Sequence, residues 1–290
     1  MACHHPLTGY RRASGKVKFT HTILPDWPGA VTVSCGRCTG CRLDHARDWA
    51  VRIMHESQLY ERSSFITLTY DDDLVPDQLI LDHWQNFAKK FRRDIGPFRF
   101  FHCGEYGAKL GRPHLHAAIF GHDFSHDRVY HDTTANGDTL WKSKTLEHIW
   151  GKGFTPIGDL TFESAGYIAR YTLKKKARDG TPGKAIHQHG DRKRPYTTMS
   201  RNPGLGKGWL DKYYTDVYPR DHVVTNGRQA PPPKFYDGIL EYTDPTLHAK
   251  LKQERTDKAK LHKADNTPAR LRDKEIVLEA KMKMLNRELE

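Results

Sequence analysis

Nowhere does this chain carry an apolar run long enough to span a bilayer, and its opening residues, MACHHPLTGYRR, lack an apolar segment followed by a cleavage site. Neither a membrane-spanning helix nor a secretory leader is expected, and a membrane is not an expected partner. The motif Gly-x4-Gly-Lys-Ser/Thr is also missing, which excludes a fused helicase of the P-loop type. Internal repeats are absent, so a solenoid is not expected. Cysteine is scarce, with 5 in all, and Cys3, Cys35, Cys38 and Cys41 are gathered at one end. An odd, clustered set is not a secreted disulfide framework; it points to a reducing cytosol and a metal site. Apolar residues make up only 37% of the 290 residues, so part of the chain contributes to no core. That shortage is greatest from Leu247 to Glu290, where Lys, Arg, Glu and Asp alternate and a helical pattern returns at Pro268 to Leu289. Acidic residues are outnumbered, 35 against 47 Lys and Arg, and the resulting +12 charge favours a polyanionic partner through counterion release.

What is present begins with a Cys-, His-, Gly- and Pro-rich stretch over residues 1 to 41, with one strand expected at Ala30 to Ser34. Apolar spacing predicts a basic amphipathic helix from Leu43 to Tyr60, then a β-branched and aromatic strand from Phe65 to Tyr70. Asp82 to Asp94 reads as a helix with Trp84, Phe87 and Phe91 on one side and Lys89, Lys90, Arg92 and Arg93 on the other. Strands are expected at Phe98 to Cys103, at His114 to Phe120 with one polar and one apolar face, and at Phe154 to Asp159. A short helix is expected at Thr145 to Trp150, and a longer one at Ser164 to Lys176 capped by Ser164. Ala177 to Gly208 reads as a loop, and Pro231 to Pro233 as a break.

Three groups of residues carry chemistry. His114 and His116 stand two apart on a predicted strand, so their imidazoles share a face and can share a metal ion. Glu105, at the end of the preceding strand, would be brought beside them by a tight hairpin, completing a site of two nitrogens and one oxygen. Tyr167 and Tyr171 are four apart on a predicted helix and lie on one face of it. A phenol is a weak nucleophile at neutral pH, and Arg170, Lys174 and Lys175 are placed to stabilise a phenolate. Cys35-x2-Cys38-x2-Cys41 has the spacing of structural zinc sites, with Cys3 as the fourth thiolate, His4 or His5 as rivals for that place, and iron–sulfur ligation as the other metal reading. Cys103 reads as a buried core residue. Basic and aromatic residues interleave at Lys174 to Arg178, Arg192 to Tyr196 and Lys207 to Tyr214, a pattern suited to single-stranded DNA.

The ordered set FITLTYDDD, GEYG..GRPHLHAAIFG and YIARYTLKK resembles the three motifs of the HUH endonuclease superfamily. Together with CGRCTGCR, it is most similar to the replication initiators of Microviridae, the gokushovirus type of single-stranded DNA phage. The resemblance covers roughly residues 1 to 180. It implies an α+β HUH fold, with a central antiparallel, RRM/ferredoxin-like sheet, flanking helices and an N-terminal Cys-rich zinc element. It also implies a metal-dependent single-strand DNA endonuclease and strand transferase acting in rolling-circle replication. On that resemblance His114, His116 and Glu105 would hold catalytic Mg2+ or Mn2+, Tyr167 and Tyr171 would be paired nucleophiles, and Lys174 their basic companion, while Zn2+ would be structural. Arg170 departs from the lysine that often follows the first tyrosine, which leaves open which tyrosine cuts first. The expected organisation is a zinc element at 1–42, the endonuclease domain at 43–220 and a basic, partly helical or disordered tail at 221–290. Expected partners are single-stranded and origin DNA with a host helicase and DNA polymerase, in the cytoplasm of a bacterial host. Two alternatives stay open: a relaxase or single-strand transposase of the same superfamily, and a non-catalytic zinc-dependent nucleic-acid-binding protein.

Overall fold

Alternation of apolar side chains across a pleat builds the centre of this protein. In the computed structural model, residues 3–12, 17–19, 29–107, 110–174 and 192–284 are described, with the side chains of 171–174 left aside. The elements in chain order are β1 (Leu7–Arg11), β2 (Val17–Lys18), β3 (Ala30–Val33), α1 (Thr39–Ser57), β4 (Ser63–Leu68), α2 (Leu81–Asp94), β5 (Arg99–Tyr106) and β6 (Pro113–Phe120). There follow β7 (Val129–Thr133), β8 (Thr139–Lys142), α3 (Lys144–Trp150), β9 (Ile157–Gly158), α4 (Phe162–Lys174) and β10 (Tyr196–Met199). The chain ends with α5 (Lys207–Lys212), α6 (Tyr214–Val217), β11 (Val223–Thr225), β12 (Arg228–Ala230), α7 (Lys234–Thr243), α8 (Pro245–Leu261) and α9 (Pro268–Met284). Among the described residues no helix is long and apolar enough to cross a membrane.

Two units divide the chain: Ala46–His248 with Glu288–Glu290, and Met1–His45 with Ala249–Arg287. The smaller contains an antiparallel sheet in the order β2-β1-β3 and the cysteine cluster. The larger is built on a seven-stranded sheet in the order β10-β5-β6-β4-β9-β8-β7, whose pairings are antiparallel. It is a mixed α+β fold with helices on both faces of that sheet.

Strand β6 shows how the two faces are made. Leu115, Ala117 and Ile119 point one way, into a core completed by Trp84, Phe87 and Phe91 of α2 and Leu146, Ile149 and Trp150 of α3. Ala118 and Phe120 point the other way, against Ala50 and Ile53 of α1 and Ala165 and Ile168 of α4. Each large side chain so buried stabilises the fold by roughly 1.5–3 kcal/mol relative to exposure. The helix spacing read from Asp82 to Asp94 holds, since Trp84, Phe87 and Phe91 are buried while Lys89, Lys90, Arg92 and Arg93 are not.

Three expectations about the strands are corrected. Strand β6 was expected to have one polar and one apolar face, but the face that carries His114 and His116 also carries Ala118 and Phe120, and seven of the eight residues are buried because α1 and α4 cover that face as well. Nor is 177–208 all loop: Tyr196–Met199 pairs antiparallel with Phe101–Gly104 and forms an edge of the sheet. The polar sequence around it hides a strand that is only four residues long. Strand β9 is also shorter than Phe154 to Asp159, being confined to Ile157–Gly158.

Helix α4 begins two residues earlier than Ser164, and the cap is Thr161. The Ser164 N–H donates to Thr161 Oγ1 at 3.2 Å, while the Thr161 N–H donates to Ser164 Oγ at 2.9 Å. This reciprocal capping box satisfies donors that a helix start would otherwise leave open, and removing a cap of this kind costs about 1 kcal/mol. It fixes the start of the helix that carries Tyr167.

Candidate functional site

Register places the acidic residue beside the histidines. Strands β5 and β6 form a hairpin in which Glu105 pairs directly with His114, and Cys103 with His116. Strand β5 runs on to Tyr106, so Glu105 lies within the strand and shares a face with both imidazoles. Glu105 Oε1 is 3.0 Å from His114 Nε2 and 2.9 Å from His116 Nε2. The site is nearly closed to water, with Glu105 and His116 at 1% and 4% exposure. Burial by itself would raise the Glu105 carboxyl, but hydrogen bonds from His114 and His116, together with their charge, hold it down at about 2. Glu105 is therefore a carboxylate at neutral pH.

The far nitrogens decide how the rings present themselves. His114 Nδ1 lies 3.2 Å from the carbonyl oxygen of Arg112, which can only accept, so Nδ1–H is the donor there. Nε2 of a neutral His114 would then turn a lone pair toward the Glu105 carboxylate. Two facing acceptors are repulsive, and either a proton or a shared cation resolves the contact. His116 Nδ1 is 2.8 Å from Thr67 Oγ1, a group on β4 directly across from it in register. Phe65 stacks on the same imidazole, with centroids 5.5 Å apart. Both rings are thus held from behind, with their Nε2 atoms directed at one oxygen.

The donor set fits a divalent ion. The ligand atoms of Glu105, His114 and His116 all lie within 4.8 Å of one another. Two imidazoles and a carboxylate suit Mn2+ and its neighbours in the first transition row. Metal–ligand distances of roughly 2.0–2.2 Å put right-angle ligands about 3 Å apart, close to the observed spacing.

Helix α4 delivers the phenol. Tyr167 is 6% exposed, its hydroxyl donates to Glu105 Oε1 at 3.0 Å, and its ring meets His116 edge-on at 5.2 Å between centroids. The Arg170 guanidinium lies 5.7 Å from the Tyr167 ring centroid, so one of the cations expected from the sequence is beside the phenol. Tyr171 and Lys174 lie on the same helix, but their side chains are outside the described residues, and Lys175 lies outside them altogether. Sequence reasoning did not identify Thr67 as the group behind His116. Its signal was available, because Thr67 alternates with Phe65 on the face of β4 that meets the histidines.

The four N-terminal cysteines also converge, with sulfur atoms within 4.8 Å of one another, and all are free thiols. Backbone N–H groups point at the sulfurs: Cys35 at Cys3 Sγ (3.2 Å), Cys38 at Cys35 Sγ (3.3 Å) and His4 at Cys38 Sγ (3.3 Å). Burial would raise the Cys35 thiol, but backbone donors from Cys38 and Arg37 bring it to about 7, whereas burial pushes the Cys3 and Cys41 thiols up. Cys3 joins the cluster, whereas His5 Nε2 pairs with Glu275 at 2.6 Å and His4 Nδ1 lies 3.6 Å from the same carboxylate. His4 also forms, with Cys38 and Glu275, a grouping able to hold an ion. Cys103 is fully buried in the core under α1 and α4.

Of the interleaved basic and aromatic segments, Lys207 to Tyr214 is not the open surface the sequence pattern implied. Lys207 is paired with Asp211, and Trp209 stacks on His55 in the interior at 3.5 Å. Arg192 lies 5.5 Å from the Tyr106 ring centroid and donates to the Gly111 carbonyl at 2.9 Å. Lys174 to Arg178 falls outside the described side chains.

Fold and site together define an α+β protein that carries a His–Glu chelating centre on a helix-covered antiparallel sheet, and a separate four-cysteine cluster. Residues 63–176, which span the sheet from β4 through α4, match the family of replication-associated proteins of the ORF2 type. The chain is similar to replication-associated protein VP4 of Bdellovibrio phage phiMH2K, with 30% identity over 256 residues, covering 84% of this chain and 79% of that protein. It is similar to replication-associated protein ORF2 of Spiroplasma virus 4, with 30% identity over 274 residues, covering 83% and 81%. A third relative, replication-associated protein ORF4 of Chlamydia phage 1, is 26% identical over 215 residues, 71% of this chain and 53% of that one. No solved structure matches it. The chain belongs to the ORF2-type family of phage replication-associated proteins.

Proposed function

We propose that this protein is an HUH-type, two-tyrosine replication initiator of the Microviridae, gokushovirus kind, which nicks and rejoins the origin strand of a small circular DNA. The observation that carries the reading is the hydrogen bond from the Tyr167 hydroxyl to Glu105 Oε1, the oxygen on which His114 and His116 also converge. A nucleophile and a chelating centre 3.0 Å apart are what metal-assisted transesterification at phosphorus requires.

Glu105, His114 and His116 would hold Mg2+ or Mn2+, which when bound supplies Lewis-acid polarisation of the scissile phosphate. Glu105 orients the Tyr167 hydroxyl by accepting its hydrogen bond; with a pKa of about 2 it is too weak a base to keep the phenolic proton. Arg170 faces the negative charge that develops on the phenol. The phenolic oxygen forms a bond to phosphorus as the bond from phosphorus to the 3′ oxygen breaks. The phenolic proton leaves through solvent, and the departing oxygen takes one up to become a 3′-OH. A polymerase can extend that end, while the 5′-phosphotyrosine link conserves the phosphodiester for rejoining. Tyr171, one turn along, and Lys174 would serve the second cut, which releases the displaced strand.

In this reading residues 1–42 are a zinc-binding element held by Cys3, Cys35, Cys38 and Cys41, residues 43–220 the endonuclease domain, and 221–290 a basic, partly helical tail whose first part, to His248, packs within the larger unit. Strand separation and synthesis would fall to a host helicase and DNA polymerase. The test is incubation of folded protein and Mn2+ or Mg2+ with supercoiled plasmid bearing the cognate phage origin. Nicked circles with protein covalently attached are expected, and no cleavage by either ion would overturn the assignment.

A further inference from the structure

A second pocket lies in the larger unit. Helix α1, the start of α4 and the β11–β12 hairpin line an open-sided cavity of about 430 Å3, within the range of small-ligand sites. The hairpin turns through Asn226 and Gly227, which both have positive φ, 49° and 71°, as a two-residue type I′ turn requires. Thr225 and Arg228 are directly paired across it. Arg47 and Val51, one turn apart on α1, and Phe162 on α4 complete the lining.

The lining is chemically mixed. Phe162 offers an aromatic surface, and Arg47 and Arg228 bring two guanidinium groups. Asp48 accepts from Arg47 Nη2 at 2.9 Å, which leaves Arg228 as the freer cation. An aromatic face beside two guanidinium groups suits a planar ring that carries a phosphate.

We infer that this cavity binds one nucleotide of single-stranded DNA, its base against Phe162 and Thr225 and its phosphate at Arg228. Phe162 lies five residues before Tyr167 on one helix, so the pocket would fix the strand relative to the nucleophile. This deepens the proposed nicking function and rests on it for the identity of the strand.

The test measures binding without chemistry. Fluorescence anisotropy of a labelled oligothymidylate of about 15 nucleotides, with no divalent ion added, compares the wild type with Arg228→Ala, Phe162→Leu and Thr225→Val. An abasic strand of equal length serves as competitor, and Lys90→Ala on α2 as a charge-matched control. Arg228→Ala should weaken binding about tenfold and reduce the salt slope by about one, which Lys90→Ala should not. Phe162→Leu should narrow the preference for the base-carrying strand by about fivefold. Phe162 also packs in the core, so melting curves accompany each variant; the exposed Arg228 carries the test if Phe162→Leu unfolds. Wild-type affinity and salt slope in Arg228→Ala would overturn the inference, even if the protein nicks. Absence of nicking with the binding losses intact would instead overturn the enzymatic reading.

Discussion

The imidazole of His55 should make this protein acid-labile by a calculable amount. It lies on α1 at 4% exposure, stacks on Trp209 at 3.5 Å and has its Nδ1 2.9 Å from the Tyr236 hydroxyl. Burial pushes its pKa down to about 4, against 6.5 for a free histidine. The folded state therefore refuses a proton that the unfolded chain accepts near pH 6.5. Stability is complete above that pH, declines as pH falls, and reaches its full loss below about 4. At about 1.36 kcal/mol per pH unit, the complete penalty is about 3 kcal/mol, of which about 2 is lost by pH 5. Urea unfolding of wild type and His55→Gln between pH 7.5 and 5 reads this directly, because glutamine keeps a hydrogen-bonding group without a titrating one. Burial also lowers the pKa of His83, His102 and His122, so both proteins should weaken in acid. The wild-type advantage over the variant should nevertheless shrink by about 2 kcal/mol across that range. Parallel curves would show that His55 is solvated or protonated in the fold, and the packing of α1 against α5 and α7 would need redrawing.

Three other outcomes follow from the two chelating clusters. Mn2+ at a hundredfold excess over its dissociation constant should stabilise the wild type by about 2.7 kcal/mol, a rise in Tm of roughly 5–10 °C, and Glu105→Gln should abolish that rise in differential scanning fluorimetry. Thr67→Val removes the partner of His116 Nδ1 and should weaken metal binding about 10- to 100-fold, measured by Mn2+ titration, with little change in fold. One zinc per chain should be released by mercurial titration of the wild type, and Cys35→Ser should lower that yield; an unchanged yield would mean the thiols are not ligands.

The legible parts of the site were those set by local periodicity. Strand alternation alone co-oriented His114 and His116 and sent Leu115 to the opposite core, and helical spacing separated Trp84, Phe87 and Phe91 from their basic neighbours. Long-range pairing was legible only in part. The hairpin that brings Glu105 beside the histidines could be expected, though not its register of Glu105 against His114, whereas Thr67 reaches His116 only because β4 lies next to β6. The edge strand at Tyr196 was hidden because four residues in a basic, proline-containing stretch carry too little pattern to outweigh their surroundings. Trp209 looked like a stacking surface for DNA because composition does not say which side of a short helix faces His55. Covering of the histidine face by α1 and α4 was likewise beyond any local signal, since it follows from packing two helices on one sheet.

The central claim is that Tyr167 attacks DNA phosphorus from beside Glu105, His114 and His116. Its most direct test is peptide mapping by mass spectrometry of the covalent adduct formed with an origin-containing single strand and Mn2+. The account predicts a nucleotide-modified peptide bearing the phosphate on Tyr167, lost in Tyr167→Phe while metal-induced stabilisation remains. An adduct confined to another residue, or cleavage with no covalent adduct at any tyrosine, would contradict it.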